Sequence, residues 1–171
     1  MSNAKPPEPW LRGTLTEIPA VARAVLHALQ LAQEDLIAWC GGLTDKELNA
    51  RPGGIAPVAF HLRHIVRSAD RLLTYAEGRQ LDPNQIADLK TELSPAGTKT
   101  DLFAELSSAC KMSADRIERL ASTDLETGRS VGTRQLPTTI GGLLVHVAEH
   151  TQRHVGQAIT TSKILAAQRS A

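Results

Sequence analysis

Aromatic residues are scarce in this chain: they make up only 3% of its 171 residues. The core must therefore be built mainly from leucine, isoleucine, valine and alanine, which suits helix-on-helix packing better than a β-sandwich. Strand patterns are nearly absent, and helical periodicity dominates the sequence. The composition therefore predicts an all-helical protein with the length of one domain.

Cysteine is equally rare, and the two cysteines, Cys40 and Cys110, fall in separate predicted helices. Two isolated cysteines provide neither a disulfide framework nor a zinc ligand set. No apolar run approaches the ~18 residues that a membrane-spanning helix needs. The polar, proline-rich start does not resemble a signal peptide. We therefore expect a cytoplasmic protein with no membrane association.

The chain also lacks an excess of either charge, with 19 basic and 18 acidic residues and a formal net charge of +1. Binding to the phosphate backbone of nucleic acids needs a basic excess, so nucleic acid is not expected as a partner. No serine nucleophile motif or glycine-rich phosphate loop is present either. These absences argue against a serine hydrolase and against a nucleotide-binding protein.

Four long amphipathic helices are predicted from apolar residues that recur every three or four positions. They cover about 18–40, 55–77, 100–122 and 138–166. On the second of them, Gly78 is expected to follow the last turn in the left-handed conformation. The third should face inward through Leu102, Leu106, Met112, Ile117 and Leu120.

The connections between these helices complete the predicted organisation. Residues 83–93 are predicted to form a weaker, exposed helix, and 123–137 a long loop with a short hairpin. Four long helices with one long connection indicate a four-helix bundle. The predicted domains are a flexible N-terminal segment (1–9), the bundle (10–166) and a C-terminal tail (167–171).

Five of the six histidines form two groups, His61 and His64 on the second long helix and His146, His150 and His154 on the last. His150 and His154 are four residues apart and share a helix face, roughly 80° and 40° from the apolar stripe. Two imidazoles at this spacing can converge on one metal ion at about 2.0–2.1 Å. The remaining histidine, His27, is interpreted as a packed residue at the edge of the core.

Spacing alone does not settle which histidine of the second helix would be the third ligand. On a helical wheel His61 lies roughly 60° from the apolar stripe and His64 roughly 120°, which favours His61. His146 lies roughly 120° from its own stripe, near the flank of the last helix.

Two segments carry a more specific pattern. The first contains Phe60-His61-Leu62-Arg63-His64-Ile65, and the second runs from Leu144 through His150 and His154 to Gly156-Gln157. Both resemble the DinB/YfiT-like superfamily of bacterial proteins. The resemblance implies an up-down-down-up four-helix bundle with a long connection before the last helix.

Carried over by position, the resemblance implies one divalent metal ion, zinc or nickel, held by His64, His150 and His154. His64 replaces His61 as the third ligand because the family's ligand directly precedes an aliphatic residue. His61, His146 and Gln157 then become candidates to support the ligands or to line a substrate pocket. No residue is identified as catalytic.

Three neutral protein ligands leave coordination positions for water or substrate, as in catalytic sites. Characterised relatives use bacillithiol or mycothiol, so the resemblance implies an enzyme that activates a low-molecular-weight thiol for transfer, ahead of a hydrolase that activates water. The alternative is a non-enzymatic, stress-associated module whose metal ion stabilises the bundle. Family members often form homodimers, and the same is expected here.

Charged residues near these segments allow two readings each. Arg63, Arg67 and Arg71 form a ridge on the second helix that is either solvated and paired with acids or able to attract a substrate carboxylate. Glu149 is either a solvated surface residue or a general base, and Arg153 is equally ambiguous.

Overall fold

A computed structural model describes residues 6–94 and 97–169. This part of the chain is mostly helical, with one small two-stranded sheet. The elements in chain order are α1 (Ala20–Cys40), α2 (Asp45–Leu48), α3 (Val58–Ala76), α4 (Pro83–Thr91), α5 (Lys99–Leu120), β1 (Gly128–Val131), β2 (Leu136–Thr139) and α6 (Ile140–Arg169). Short 3₁₀ turns at Pro9–Leu11 and Pro52–Gly54 precede α1 and α3.

The four long helices pack against one another through their apolar faces. Both α1 and α3 pack against α5 and against α6. The antiparallel strands β1 and β2 pair Gly128 with Thr139 and Val131 with Leu136, which is the short hairpin predicted for the connection before the last helix. Because β2 ends where α6 begins, the hairpin fixes the start of α6 at Ile140.

The apolar core consists of two clusters of buried side chains. One contains Leu29, Ala69 and Val147, and the other contains Ala32, Val66 and Val155. On α6 the boundary between them falls in the stretch from Val147 to Val155, which also carries His150 and His154. A layer of polar side chains therefore interrupts the apolar packing of this helix.

Proline placement determines where α3 begins. The predicted start was about residue 55, but Ile55 is extended, and Pro57 occupies the N-cap position. A proline disfavours the helical conformation of the residue before it, so the helix cannot extend back through Ala56. At the other end Gly78 has a φ of +78°, as predicted for a left-handed cap.

The predicted inward face of α5 is correct except at one position. Leu102, Leu106, Ile117 and Leu120 are buried, whereas Met112 is 58% exposed. Six positions separate Met112 from Leu106, a rotation of roughly 600°, so the two side chains point about 120° apart. Assigning Met112 to the core was therefore wrong.

The termini of the chain are only partly described. The predicted N-terminal segment 1–9 and tail 167–171 extend outside the described residues, and the division into domains stays a prediction. The guanidinium of Arg12 binds the carboxylate of Glu34 through two contacts of 2.7 Å, which ties the N-terminal stretch to α1. Within the described ranges, no helix combines the length and the apolar character needed to cross a membrane.

Candidate metal centre

The packing of α3 against α6 brings His64, His150 and His154 together, and we call these three residues the histidine cluster. One ligand nitrogen of each lies within 4.8 Å of those of the other two. His64 Nε2 is 2.9 Å from His150 Nε2, and the rings of His150 and His154 are 4.6 Å apart. All three side chains are half-buried. The residues named by position from the family pattern are thus adjacent in space.

The apolar stripe of α6 explains the position of two members of the cluster. Ile140, Leu144, Val147, Thr151 and Ala158, the predicted core face, are all buried. His150 and His154 flank this stripe and therefore turn toward α3. On α3, His61 is more buried than His64, as its smaller angle to the apolar stripe on the helical wheel predicted. The ligand atom that lies close to those of His150 and His154, however, belongs to His64.

A buried carboxylate orients one of the three imidazoles. Glu92, only 4% exposed, places Oε2 2.6 Å from His64 Nδ1. A carboxylate can only accept, so a neutral His64 carries its proton on Nδ1 and keeps the lone pair of Nε2 for the cluster. This histidine–carboxylate pairing is common behind metal ligands, where it fixes the ring and the tautomer.

The segment that supplies Glu92 is held down by two arginines of α3. Arg71 donates to Glu92 Oε1 at 2.7 Å, and Arg63 donates to the backbone carbonyls of Glu92 and Ser94. Burial raises the pKa of Glu92, but the hydrogen bonds from His64 and Arg71 outweigh burial and leave the pKa below its usual range. The carboxylate is therefore charged at neutral pH.

Glu92 also corrects the view of residues 83–93 as an exposed helix. The helix α4 forms and begins with the predicted Asp82-Pro83 cap, but it ends at Thr91, and Glu92 turns into the protein.

The arginine ridge of α3 is paired with acidic residues, which is the first of its two sequence interpretations. Arg67 lies 3.5 Å from both Asp88 and Glu105. The ridge is thus engaged within the protein.

The two imidazoles that α6 contributes to the histidine cluster are held in their neutral form. Burial, followed by neighbouring positive charge, lowers the pKa of His150 and of His154 to about 4. Metal binding requires unprotonated imidazole nitrogen, so these rings are ready to coordinate at physiological pH. Unlike His64, His150 has a buried Nδ1 with no hydrogen-bond partner in the described part of the chain. A set of three imidazole nitrogens fits zinc, nickel or a similar ion.

Phe60 and His61 border the histidine cluster on one side. The ring of Phe60 stacks on His64 with centroids 5.1 Å apart and an interplanar angle of 20°. His61 is buried, its Nδ1 lies 3.0 Å from His154 Nδ1, and burial lowers its pKa to about 4. His61 thus contacts a member of the histidine cluster. The contact between Phe60 and His64 was not predicted from the sequence.

The remaining predicted site residues lie farther out. His146 pairs with Glu149 through a 2.8 Å contact, and both side chains are about half exposed, at 44% and 52%. Glu149 is therefore a surface residue, which is the first of the two interpretations that the sequence allows. Gln157 and Arg153 are exposed and line a cavity next to His61. His27 is buried and lies 3.2 Å from Thr14 Oγ1, as expected for a packed residue.

Neither cysteine has the properties of an activated nucleophile. Cys40 is fully buried and Cys110 half-buried. Burial raises the pKa of each thiol to about 11. Both thiols therefore stay protonated at neutral pH, and neither is expected to act as a nucleophile.

Comparison with known proteins matches the region that contains these features. A family model described as the DinB superfamily matches residues 28–158, which is more than half of the chain. The matched range covers the whole of α3 and α6 as far as Ala158, and so includes every member of the histidine cluster. No curated protein matches the chain.

Proposed function

This chain belongs to the DinB superfamily, and we propose that it is a metal-dependent enzyme whose single divalent ion is held by His64, His150 and His154. The observation that carries the proposal is the histidine cluster itself, with one ligand nitrogen from each residue within 4.8 Å of the others. The supporting carboxylate of Glu92 strengthens it, because it presents the lone pair of His64 Nε2 toward His150.

The proposed chemistry is the activation of a low-molecular-weight thiol for S-transfer, ahead of the activation of water for hydrolysis. A divalent ion bound by three imidazoles lowers the pKa of a thiol or water that joins it. The protein contributes a fixed proton at His64 Nδ1, neutral rings at His150 and His154, and the ring of Phe60, which covers the imidazole of His64. No side chain is assigned a proton-transfer role.

Several finer features belong to the same proposal. The metal is zinc or nickel, and the four long helices form an up-down-down-up bundle. The substrate is a small molecule, the protein acts in the cytoplasm without nucleic acid or membrane partners, and it forms a homodimer. These features are supported by family membership and by the composition of the chain.

Metal content tests the ligand assignment. Tag-free native protein is expected to hold about one equivalent of divalent metal per chain, and His150→Ala none, because two imidazoles bind such ions far more weakly. Elemental analysis after dialysis measures both. His27→Gln is the matched control, since it replaces a buried histidine away from the cluster. Equal metal in native protein and His150→Ala contradicts the assignment.

Thiol binding separates the enzyme from the alternative, in which the metal only stabilises the bundle. Cobalt(II) is loaded in place of the native ion, and cysteine or another small thiol is added. An open site should give a new near-ultraviolet absorption from sulfur–cobalt charge transfer, which is absent in His150→Ala. An unchanged spectrum, together with a large loss of melting temperature on chelation, supports the structural role instead.

A further inference from the structure

A cavity of about 590 Å³ adjoins the histidine cluster. It is lined by residues just before and at the start of α3 and by α6 beyond His150. This volume is within the usual range for small-molecule sites, roughly 300–1,000 Å³. Phe60 and His61 form its boundary with the cluster, and they contact His64 and His154 respectively. A molecule in the cavity would therefore lie next to the cluster.

The cavity wall combines an apolar surface with one cation. Ile55, Ala56 and Phe60 supply the apolar part, and Gln157 and Thr160 add hydrogen-bonding groups. Arg153 is the single charged side chain among the described lining residues, and no carboxylate lines the cavity there. This composition suits a molecule with an apolar body and one negative group.

Arg153 is available to bind such a group. Its side chain is 56% exposed, and its ion pair with Glu149 is long, at 3.4 Å. The same Glu149 oxygen contacts His146 at 2.8 Å, so the carboxylate is shared. A guanidinium held this loosely can turn to a bound anion without leaving a buried carboxylate unpaired.

Gly156 keeps the cavity open. It lies within α6 and lines the cavity, and a Cβ added there meets no heavy atom within 4 Å. Helix packing therefore does not require glycine at this position, and glycine is unfavourable in a helix interior. The absence of a side chain leaves space in the cavity.

We propose that this cavity binds an organic anion with an apolar body, whose negative group pairs with Arg153 and whose body lies over Phe60 and Ile55. Its role as a co-substrate rests on the proposed function, because the adjacent histidine cluster is then the reactive centre. The binding itself needs only the cavity, so it can be tested without metal.

The test uses a matched pair of fluorescent probes on full-length, chelator-treated protein. Anilinonaphthalenesulfonate carries an apolar body and an anion, and phenylnaphthylamine carries the same body without charge. Gly156→Leu should weaken the binding of both probes roughly tenfold or more by filling the cavity. Arg153→Gln should weaken only the anionic probe, also roughly tenfold, through the loss of a charge-assisted hydrogen bond.

Two control variants lie outside the cavity. Gly42→Leu places a leucine at another exposed glycine with open space around it, and Arg119→Gln removes another exposed arginine. Both should bind the probes as the native protein does. The proposal is overturned if Gly156→Leu binds like Gly42→Leu, or if Arg153→Gln weakens both probes equally.

Metal content distinguishes this inference from the proposed function. Gly156→Leu should retain the metal content of the native protein, since it leaves the cluster intact. Native protein without metal but with the expected probe pattern removes the proposed function and leaves the anion site standing. Normal metal content with probe binding indifferent to Gly156 and Arg153 removes the anion site alone.

Discussion

Replacing Glu92 with alanine is expected to weaken zinc binding about 10–100-fold and to lower the free energy of unfolding by roughly 3–5 kcal/mol. The loss of affinity follows because His64 loses the carboxylate that fixes its ring and its Nδ1 proton. The loss of stability follows because Arg71, only 9% exposed, keeps its charge without its partner.

Two measurements separate these effects. Competition with a chromophoric chelator gives the zinc affinity, and urea unfolding of metal-free protein gives the stability. Glu92→Gln keeps the size and one acceptor oxygen and should lose less of both. Glu105→Ala removes a carboxylate that is 40% exposed and should change neither the zinc affinity nor the stability by much. Zinc affinity in Glu92→Ala equal to that of the native protein would show that His64 needs no orienting carboxylate.

Replacing Leu62 with alanine is expected to lower the free energy of unfolding by about 2–5 kcal/mol, because it removes apolar contacts and leaves a cavity. Leu62 is 1% exposed and packs in the same cluster as Val155 and Ala158 of α6. The residue lies on the part of α3 that carries His61 and His64, so the packing that it provides also supports the position of the site.

Urea unfolding monitored by circular dichroism measures this effect. Leu62→Met conserves most of the volume and should cost less than about 1.5 kcal/mol. Leu89→Ala truncates a leucine that is 51% exposed, and its free energy of unfolding should stay within about 0.5 kcal/mol of that of the native protein. If Leu62→Ala is no more destabilised than Leu89→Ala, the α3–α6 interface does not depend on this side chain.

The long helices could be predicted from the sequence because their apolar stripes repeat over many turns. The stripe of α6 placed Leu144, Val147 and Thr151 in the core, and all three are buried. The start of α3 was misplaced because periodicity continues through Ile55, whereas the backbone restriction imposed by Pro57 does not appear in a stripe. Met112 is apolar, but its angle on α5 turns it away from the core face, and residue type alone does not show this.

The convergence of His150 and His154 could be predicted from their spacing, but the histidine of α3 that lies beside them could not. Burial and proximity to the histidines of α6 are different properties: His61 is the more buried residue, yet His64 belongs to the histidine cluster. The family resemblance favours His64, where helix geometry alone favours His61, and His64 is the residue that lies in the histidine cluster. The two differ because the resemblance refers to sequence position, whereas the wheel measures only the angle to the core.

Glu92 was beyond prediction for a different reason. It follows a short helix whose larger apolar residues, Ile86 and Leu89, are exposed, so nothing local marks it as buried. Its burial depends on Arg71 and His64, which are at least 21 residues away in sequence. Contacts of this kind between distant segments leave no periodic signal in one sequence.

The division of the apolar core into two clusters determines how the free-energy costs of core substitutions combine. Leu36 and Leu144 are both fully buried, but they belong to different clusters. Substitutions that share no packing neighbours have additive free-energy costs, so damage in one cluster does not amplify damage in the other. Substitutions in both clusters therefore reduce one shared free energy of unfolding by the sum of their separate costs.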